Sequence, residues 1–427
     1  MSNKRVVPAG DFNVNIVLCS DGNSLLTMVR RTFPPVLILL IALVATAGAC
    51  YAAASSGAAA EKKPAATKKA ATKATARKKS SISKKSTPSA LTSRVSKTRK
   101  RSRTVRRSPW TVPTFAESTI GDRIDGDDLT VRRAAVEALG PYNGTVVAVN
   151  PDTGRVLTIV NQRVALTSGF QPCSTIKIPV ALAALSEGLI DGVTPVRLSK
   201  NVRMPLTEAL ARSNNPFFAR LGVQLGYEKF TEYARQFGLG EKAGLNIPGE
   251  EPGVYPNGPP KNGGMGMMAS FGEGITLTPL QLAALLSAIA NGGTLYYLQY
   301  PQNQREVDDF VPRVKRHLEI AHLIPKIKPG LTGAVEFGTA RRAIYNPEAP
   351  VCGKTGTCTG GTTHLGWFGS YSDFGERKLV VVVLLTGGYG VSGGTAAEIS
   401  GKIYRKLQDE GYFNKRPVLS PAMIVPR

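Results

Sequence analysis

The stretch Gln171-Pro-Cys-Ser-Thr-Ile-Lys177 opens an apolar run that continues at roughly helical spacing as far as Gly188. Because residues three apart lie on one face of a helix, the Lys177 amine should lie beside the Ser174 hydroxyl. Free backbone N–H groups and the helix dipole at a first turn favour a developing negative charge. The stretch therefore predicts a buried helix whose first turn presents a serine nucleophile next to a lysine base.

A lysine can act as a base when burial and neighbouring cations help it to lose its proton. We expect Lys354 to be the neighbouring cation for Lys177. The Ser-x-x-Lys spacing is weak evidence by itself, since it recurs at Ser81-Ile-Ser-Lys84 in a low-complexity stretch that cannot form a pocket. Most such pairs are exposed helical neighbours, so the rest of the chain has to decide.

A second motif, Lys354-Thr-Gly-Thr357, lies in the Thr-rich stretch 351–358, which is typical of a strand. Gly356 would allow another backbone or a ligand to approach closely. The lysine and the two threonines supply one cation and two hydroxyls, which suit a substrate carboxylate. The Thr357 N–H and the Ser174 N–H could together form an oxyanion hole.

A third motif, Ser213-Asn-Asn215, lies between two predicted helices. Pro216 can occupy the first position of the second helix, and a short polar loop at that point can reach into a cleft. Alone, this sequence would be most simply a helix cap and turn. The three motifs in this order indicate an acyl-transfer enzyme with a serine nucleophile.

The motifs together resemble the transpeptidase domain of the penicillin-binding proteins, which belong to a superfamily of serine acyltransferases. The resemblance covers roughly residues 115 to 412. Four further segments also resemble parts of these domains: Gly144–Gly154, Phe237–Gly240, Ile247–Glu250 and Ser270–Ala283.

The resemblance implies a role for each motif residue. Ser174 would be the acylated nucleophile, Lys177 its base and Ser213 the proton relay to the leaving amine. Asn215 would contact the donor amide. Lys354, which is also counted among the catalytic residues, would hold the terminal carboxylate together with Thr355 and Thr357. Gly356 would be a further substrate-binding residue of the same strand.

Two features depart from the family pattern. Cys173 stands where the family commonly has a small residue such as glycine, which would alter access to the serine. The interval from Ser174 to Ser213 is short, which indicates a trimmed loop on one wall of the cleft.

The resemblance implies a D,D-transpeptidase that takes peptidoglycan stem peptides ending in D-Ala-D-Ala, with β-lactams as inhibitors. A D,D-carboxypeptidase would pass the acyl group to water instead. A serine β-lactamase would need a dedicated base for deacylation, and the sequence offers no evident one. A silent wall-binding module or a β-lactam sensor is the alternative from a different class, although sensors usually need several apolar spans.

Neither a metal nor a cofactor is expected. The three histidines, His317, His322 and His364, are too scattered in the sequence to form a metal site.

The positive charge of the chain is concentrated in one stretch. The chain has 427 residues and a formal net charge of +24, and residues 61–107 hold 18 basic residues and one acidic residue. This Ala/Lys/Ser/Thr stretch has no aromatic residue, so we expect a disordered basic linker. Such a tail could bind nucleic acid by its charge, but the apolar segment that precedes it argues against a nucleic-acid partner.

Residues 33–54 carry no charge and follow Arg30-Arg31, which predicts a membrane anchor or a secretory signal. An uncleaved anchor would make this a single-pass protein of the cell membrane with its catalytic domain outside the cytoplasm, on the periplasmic side. A glycan-polymerising synthase is a further expected partner. Met28 precedes a well-formed start for such a segment and is our expected initiator.

Three of the five cysteines fall in the expected domain. Cys352 and Cys358 would lie roughly 20 Å apart on a straight strand, beyond the reach of a disulfide. If the resemblance holds, the strand lies beside Ser174, so Cys173 could pair with one of them. Buried free thiols are the alternative.

The expected fold is an α/β sandwich, with an antiparallel sheet of about five strands, flanking helices and a helical subdomain. We expect a segment 1–32 without clear pattern, the apolar segment 33–54, the linker 55–114, the transpeptidase domain 115–415 and a tail 416–427. The secondary structure expected in the domain comprises strands 145–149, 156–160, 365–371 and 379–386 and helices 279–290 and 396–408.

Overall fold

The structure is a computed structural model, and it describes residues 110–372 and 374–414. The predictions for segments 1–32 and 33–54, for most of the linker and for the tail 416–427 lie outside these residues. Within the two described ranges, no helix is both long and apolar enough to cross a membrane.

The centre of the described domain is a five-stranded antiparallel sheet with the strand order β2-β1-β9-β8-β7. Two further sheets, β3-β4 and β5-β6, have two strands each. The strands are β1 (Gly144–Asn150), β2 (Arg155–Val160), β3 (Val196–Arg197), β4 (Arg203–Met204), β5 (Thr294–Tyr296), β6 (Val314–His317), β7 (Val351–Gly360), β8 (Thr363–Ser372) and β9 (Leu379–Gly387).

Ten α-helices lie in the described ranges, with three short 3₁₀ turns at Cys173–Ile176, Arg341–Ala343 and Tyr412–Asn414. The helices are α1 (Leu129–Leu139), α2 (Gln162–Ala165), α3 (Lys177–Ser186), α4 (Leu206–Ala211), α5 (Asn215–Gln236), α6 (Gly264–Phe271), α7 (Pro279–Ala290), α8 (Gln304–Asp308), α9 (Ile324–Glu336) and α10 (Gly393–Asp409).

The burial of strand β9 shows that helices cover both faces of the sheet. Its sequence is almost continuously apolar and all nine of its residues are buried, as expected for a strand covered on both sides. Val380 and Val382 face a core that includes α3, α5 and α7. Val381 and Val383 face a second core formed with α1 and α10. The α/β sandwich with a helical subdomain is therefore confirmed.

Local sequence signals set several element boundaries. Thr278 caps α7 in a capping box with Gln281, as its Thr-Pro sequence predicts. Helix α10 begins earlier than expected, at Gly393, because the Ser392 side chain accepts a hydrogen bond from the Thr395 N–H. The two strands that follow the Lys-Thr-Gly motif are confirmed, each slightly longer than predicted.

Candidate active site

Ser174 lies in the 3₁₀ turn immediately before α3 rather than in the first turn of an α-helix. The turn is fixed to its surroundings by hydrogen bonds. The Trp367 indole donates to the Gln171 carbonyl over 3.0 Å, and the Thr175 hydroxyl donates to the Pro172 carbonyl over 2.7 Å. The serine is thus held on a short rigid turn between the sheet and the helical subdomain.

The Lys177 amine lies 3.0 Å from the Ser174 hydroxyl oxygen, as the three-residue spacing predicts. The same amine donates to Asn215 Oδ1 over 2.6 Å and to the Ser213 carbonyl over 2.8 Å. Lys177 itself is completely buried. The first and third motifs of the sequence therefore meet at one ammonium group.

The Ser213 loop is shaped by a residue in the left-handed region. Ser213 has φ of +57°, an uncommon conformation that costs free energy and recurs at functional sites. Asn214 caps α5 through its side chain, which accepts from the Phe217 N–H over 2.9 Å. Asn215 is therefore the first residue of α5, and Pro216 occupies the second position instead of the expected first one.

Lys354 also contacts Ser213. Its amine donates to the Ser213 hydroxyl oxygen over 2.8 Å, and the Lys177 amine lies 3.1 Å from the same oxygen. Lys354 is also completely buried. Among the described residues, no carboxylate is hydrogen-bonded to Ser174, Lys177, Ser213 or Lys354. Two buried amines thus share the Ser213 hydroxyl, and within the described ranges neither has a carboxylate as counter-ion.

The electrostatics of this pair follow from burial. Burial lowers the pKa of Lys177 to about 7, which leaves a large neutral fraction near neutral pH. The pKa of Lys354 is also lowered, first by burial and then by the charge of Lys177. The charges of the two amines therefore interact, and the expectation that Lys354 is the cation neighbouring Lys177 stays a prediction.

The motif strand β7 is an edge strand of the sheet, and its Gly356 faces the turn that carries Ser174. A Cβ at Gly356 would lie 2.9 Å from the Pro172 carbonyl oxygen and 3.2 Å from the Cys173 Cβ. The sequence predicts that Gly356 lets either another backbone or a ligand approach closely. The structure shows the close approach of another backbone, that of the Ser174 turn.

A disulfide joins these two elements. Cys173 and Cys358 are bonded, with their Cα atoms 5.6 Å apart, which is within the usual range. The pairing of Cys173 with a strand cysteine is confirmed, and Cys358 is the partner. Cys352 remains a buried thiol, 3.2 Å from the Thr332 hydroxyl. Cys173 has φ of +51°, the region in which glycine is most easily accommodated.

The two threonines of the motif already have hydrogen-bond partners. The Thr357 hydroxyl oxygen accepts from the Gly393 N–H over 2.8 Å. The Thr355 hydroxyl lies 2.6 Å from that of Thr339. Thr357 is exposed and Thr355 is nearly buried, so the strand presents one open and one recessed hydroxyl beside Lys354.

Sequence reasoning missed the residues that hold the motifs in position. Trp367 and Thr339 are distant from the motif residues that they contact, and neither lies in a pattern with a chemical meaning of its own. For Trp367, the only signal in the sequence was a tryptophan within a predicted strand. For Thr339, the sequence offered no signal.

No group of three or more potential metal ligands, histidines included, occurs in the part of the chain that the structure describes.

Residues 144–407 match the model of the penicillin-binding protein transpeptidase domain. The chain belongs to this family. The matched range contains all three motifs and the whole five-stranded sheet of this transpeptidase domain.

Several characterised proteins are similar to this penicillin-binding protein family member. Stage V sporulation protein D of Bacillus subtilis is 30% identical over 320 residues, which cover 62% of this chain and 49% of the relative. Peptidoglycan D,D-transpeptidase MrdA of Acinetobacter baumannii is 24% identical over 294 residues, covering 54% of this chain and 43% of the relative. The chain thus spans about half the length of the curated relatives that it matches.

The fold is also similar to the crystal structure of Pseudomonas aeruginosa PBP2 in complex with WCK 5153. That comparison has a TM-score of 0.57 and 21% sequence identity, and it covers 70% of this chain and 81% of the other. At this identity the likeness supports the fold.

Proposed function

We propose that this protein is a serine D,D-transpeptidase that cross-links peptidoglycan stem peptides through an acyl-enzyme on Ser174. The observation that carries this proposal is the 3.0 Å contact between the Ser174 hydroxyl and a buried lysine whose pKa is about 7. A neutral amine at this distance can take the serine proton, and the turn holds both groups in position.

In the first step, Lys177 accepts the proton of Ser174 while the serine oxygen attacks the carbonyl of the penultimate D-alanine. The carbonyl π electrons move to its oxygen, and the Ser174 and Thr357 N–H groups stabilise the resulting oxyanion. Re-formation of the carbonyl then breaks the C–N bond. The leaving D-alanine nitrogen takes a proton from the Ser213 hydroxyl, and Lys177 gives Ser213 the proton that it took from Ser174, so that Lys177 is neutral again. The Ser213 oxygen lies within 3.1 Å of both lysine amines.

In the second step, the amine of a neighbouring stem peptide attacks the Ser174 ester. The amine loses a proton, Ser174 recovers one through Lys177, and the new amide bond is the cross-link. Asn215 would contact the donor amide through its side-chain nitrogen, since its Oδ1 accepts from Lys177. Water in place of the amine would give D,D-carboxypeptidase activity.

The terminal carboxylate of the donor would bind at Lys354, Thr355 and Thr357, with Gly356 keeping the strand close to Ser174. The completely buried Lys354 amine lacks a carboxylate partner in the described chain, so a bound carboxylate would stabilise its charged form. A β-lactam carboxylate offers the same recognition group, so β-lactams should acylate Ser174 as inhibitors.

Mass spectrometry of the full-length protein after incubation with benzylpenicillin tests this proposal. We expect one stoichiometric adduct on the peptide containing Ser174, and none with Ser174→Ala. Rapid multiple turnover of penicillin would instead support a β-lactamase. A folded wild-type protein that forms no adduct would support a silent binding module.

We also propose that segment 33–54 anchors the protein in the cell membrane and that the basic stretch 61–107 links this anchor to a catalytic domain outside the cytoplasm. The support is the uncharged apolar composition of the first and the Lys/Arg-rich, aromatic-free composition of the second. Fractionation of cells that produce the full chain, before and after deletion of 33–54, tests the anchor.

A glycan-polymerising synthase as partner is a proposal that co-purification from cross-linked membranes would test.

A further inference from the structure

Thr339 lies between the elements that carry the second and third motifs, although it belongs to neither. It follows α9, and its backbone N–H donates to the Ala211 carbonyl over 3.1 Å, two residues before Ser213. A Cβ at the preceding Gly338 would lie 2.2 Å from the same carbonyl oxygen, so only glycine lets the segment come this close. Thr339 is therefore fixed against the end of α4.

The side chain of Thr339 reaches the other element. Its hydroxyl oxygen lies 2.6 Å from the Thr355 hydroxyl oxygen, whereas its distance to the Ala211 carbonyl is 3.5 Å. Of these two acceptors, the Thr355 oxygen is therefore the better placed for the Thr339 proton. Thr339 is exposed to solvent, while Thr355 is only 5% exposed.

Each hydroxyl has only one proton, so the direction of this hydrogen bond decides what Thr355 can do. If Thr355 donates to Thr339, it has no proton left for an anion. If Thr339 donates, the Thr355 proton remains available for a carboxylate. Thr357 has the second arrangement, since its oxygen accepts from the Gly393 N–H and keeps its own proton.

We propose that Thr339 is a positioning residue for carboxylate recognition in this site. Its hydroxyl donates to Thr355 Oγ1 and so directs the Thr355 proton towards the carboxylate of the donor peptide. Thr339 acts on Thr355 as the Gly393 N–H acts on Thr357. This inference rests on the proposed function, because it assumes a ligand with a carboxylate next to Ser174.

The test compares acylation of the full-length protein by benzylpenicillin and by its methyl ester, which lacks the anionic carboxylate. The measured quantity is the ratio of the two second-order rate constants. We expect Thr339→Val to lower this ratio about tenfold, since one hydrogen bond to a charged group is weakened. Thr339→Ser keeps the hydroxyl and should keep the wild-type ratio.

Two further comparisons separate this effect from a general loss of structure. Thr332→Val makes the same chemical change at a threonine whose hydroxyl faces Cys352, and it should leave the ratio unchanged. In a Thr355→Val background, Thr339→Val should have no additional effect on the ratio, because the two changes interrupt the same interaction. Thr339→Ala serves as a second variant if the valine distorts the segment.

An unchanged ratio in both Thr339→Val and Thr339→Ala would overturn the inference, as would an equal loss of both rates. An undiminished effect of Thr339→Val in the Thr355→Val background would also overturn it. A wild-type protein that reacts with neither compound would instead overturn the proposed function, and the inference with it. The two failures are therefore distinguishable.

Discussion

Two clusters of buried charge in this domain are built in opposite ways. Arg132 lies between Asp122 and Asp127, with nitrogen–oxygen distances of 2.8 and 3.1 Å. The two lysines at Ser213, Lys177 and Lys354, have hydroxyl, carbonyl and amide partners but no carboxylate among the described residues. In the first cluster, two carboxylates neutralise the charge of the guanidinium. In the second, no described carboxylate stabilises the charged amines, so they lose their protons more easily.

The charges around Arg132 stabilise the fold, whereas the Lys177 amine is suited to proton transfer. At Arg132 burial acts to lower the guanidinium pKa, but Asp122 and Asp127 together raise it overall, so the cation is permanent and supports α1 and β2. At Lys177 burial without a counter-ion lowers the pKa to about 7, so the amine can exchange a proton. Burial, with no carboxylate among the described residues hydrogen-bonded to the amine, thus suits Lys177 to the base role proposed for it.

The largest expected effect comes from Lys177→Met, which removes the base and keeps the buried volume. Acylation by benzylpenicillin should slow about a hundredfold to ten-thousandfold. The free energy of unfolding should not decrease, because a buried amine without a counter-ion is replaced by an apolar side chain. Stopped-flow or quenched mass spectrometry measures the rate and urea unfolding measures the stability. A rate within a few fold of wild type would contradict the role of Lys177 as base.

The opposite result is expected at the compensated cluster. Asp122→Ala removes a partner of Arg132 and an acceptor for the Asn161 and Gln162 N–H groups. It should lower the free energy of unfolding by about 3–5 kcal/mol, because a buried cation loses one of its two counter-ions and two backbone N–H groups lose their acceptor. The acylation rate of the remaining folded protein should stay near the wild-type value. A large loss of rate at full stability would show that the two clusters are not functionally separate.

Lys177 and Lys354 form no ion pair with any described residue, and the Cys173–Cys358 disulfide is a covalent constraint close to them. Cys358→Ser should lower the free energy of unfolding by about 2–4 kcal/mol, within the usual range for a native disulfide. Acylation should slow as well, because the Ser174 turn is no longer tied to β7. Equal stability of the wild-type and Cys358→Ser proteins under non-reducing conditions would contradict this prediction.

For a change of one pH unit, the pH dependence gives the smallest effect. Below about pH 7 Lys177 is protonated, so the acylation rate should fall about tenfold per pH unit and should level off above its pKa. The folded-state pKa is lowered, so above pH 7 the unfolded chain binds the proton that folded Lys177 has lost. The contribution of Lys177 to the free energy of unfolding should therefore rise from about pH 7 towards the ordinary lysine pKa. A rate independent of pH between 5 and 8 would contradict the assignment.

The parts of the fold and site that sequence predicts depend on local geometry. The Ser174–Lys177 contact follows from helical spacing, the Lys354 strand from its threonines, and the start of α7 from Thr278. These patterns involve residues that are neighbours in the chain. Their agreement with the structure follows from the short range of the underlying forces.

The parts that sequence could not predict depend on which elements become neighbours in the fold. Arg132 meets Asp122 and Thr339 meets Thr355 only after the sheet and helices have assembled. The cysteine partner shows the same limit. Cys352 and Cys358 lie on the same side of β7, and only the position of Cys173 opposite Gly356 brings the second within reach.

The left-handed backbone at Cys173 has a consequence for how this protein could lose its disulfide through mutation. A side chain in the left-handed region costs about 1–2 kcal/mol that glycine does not. Cys173→Gly would therefore recover part of the stability lost with the disulfide, whereas Cys358→Ser would recover none. If the disulfide is no longer needed, Cys173→Gly is therefore the less destabilising first mutation. Once it has occurred the disulfide is already lost, so Cys358 can change without breaking it.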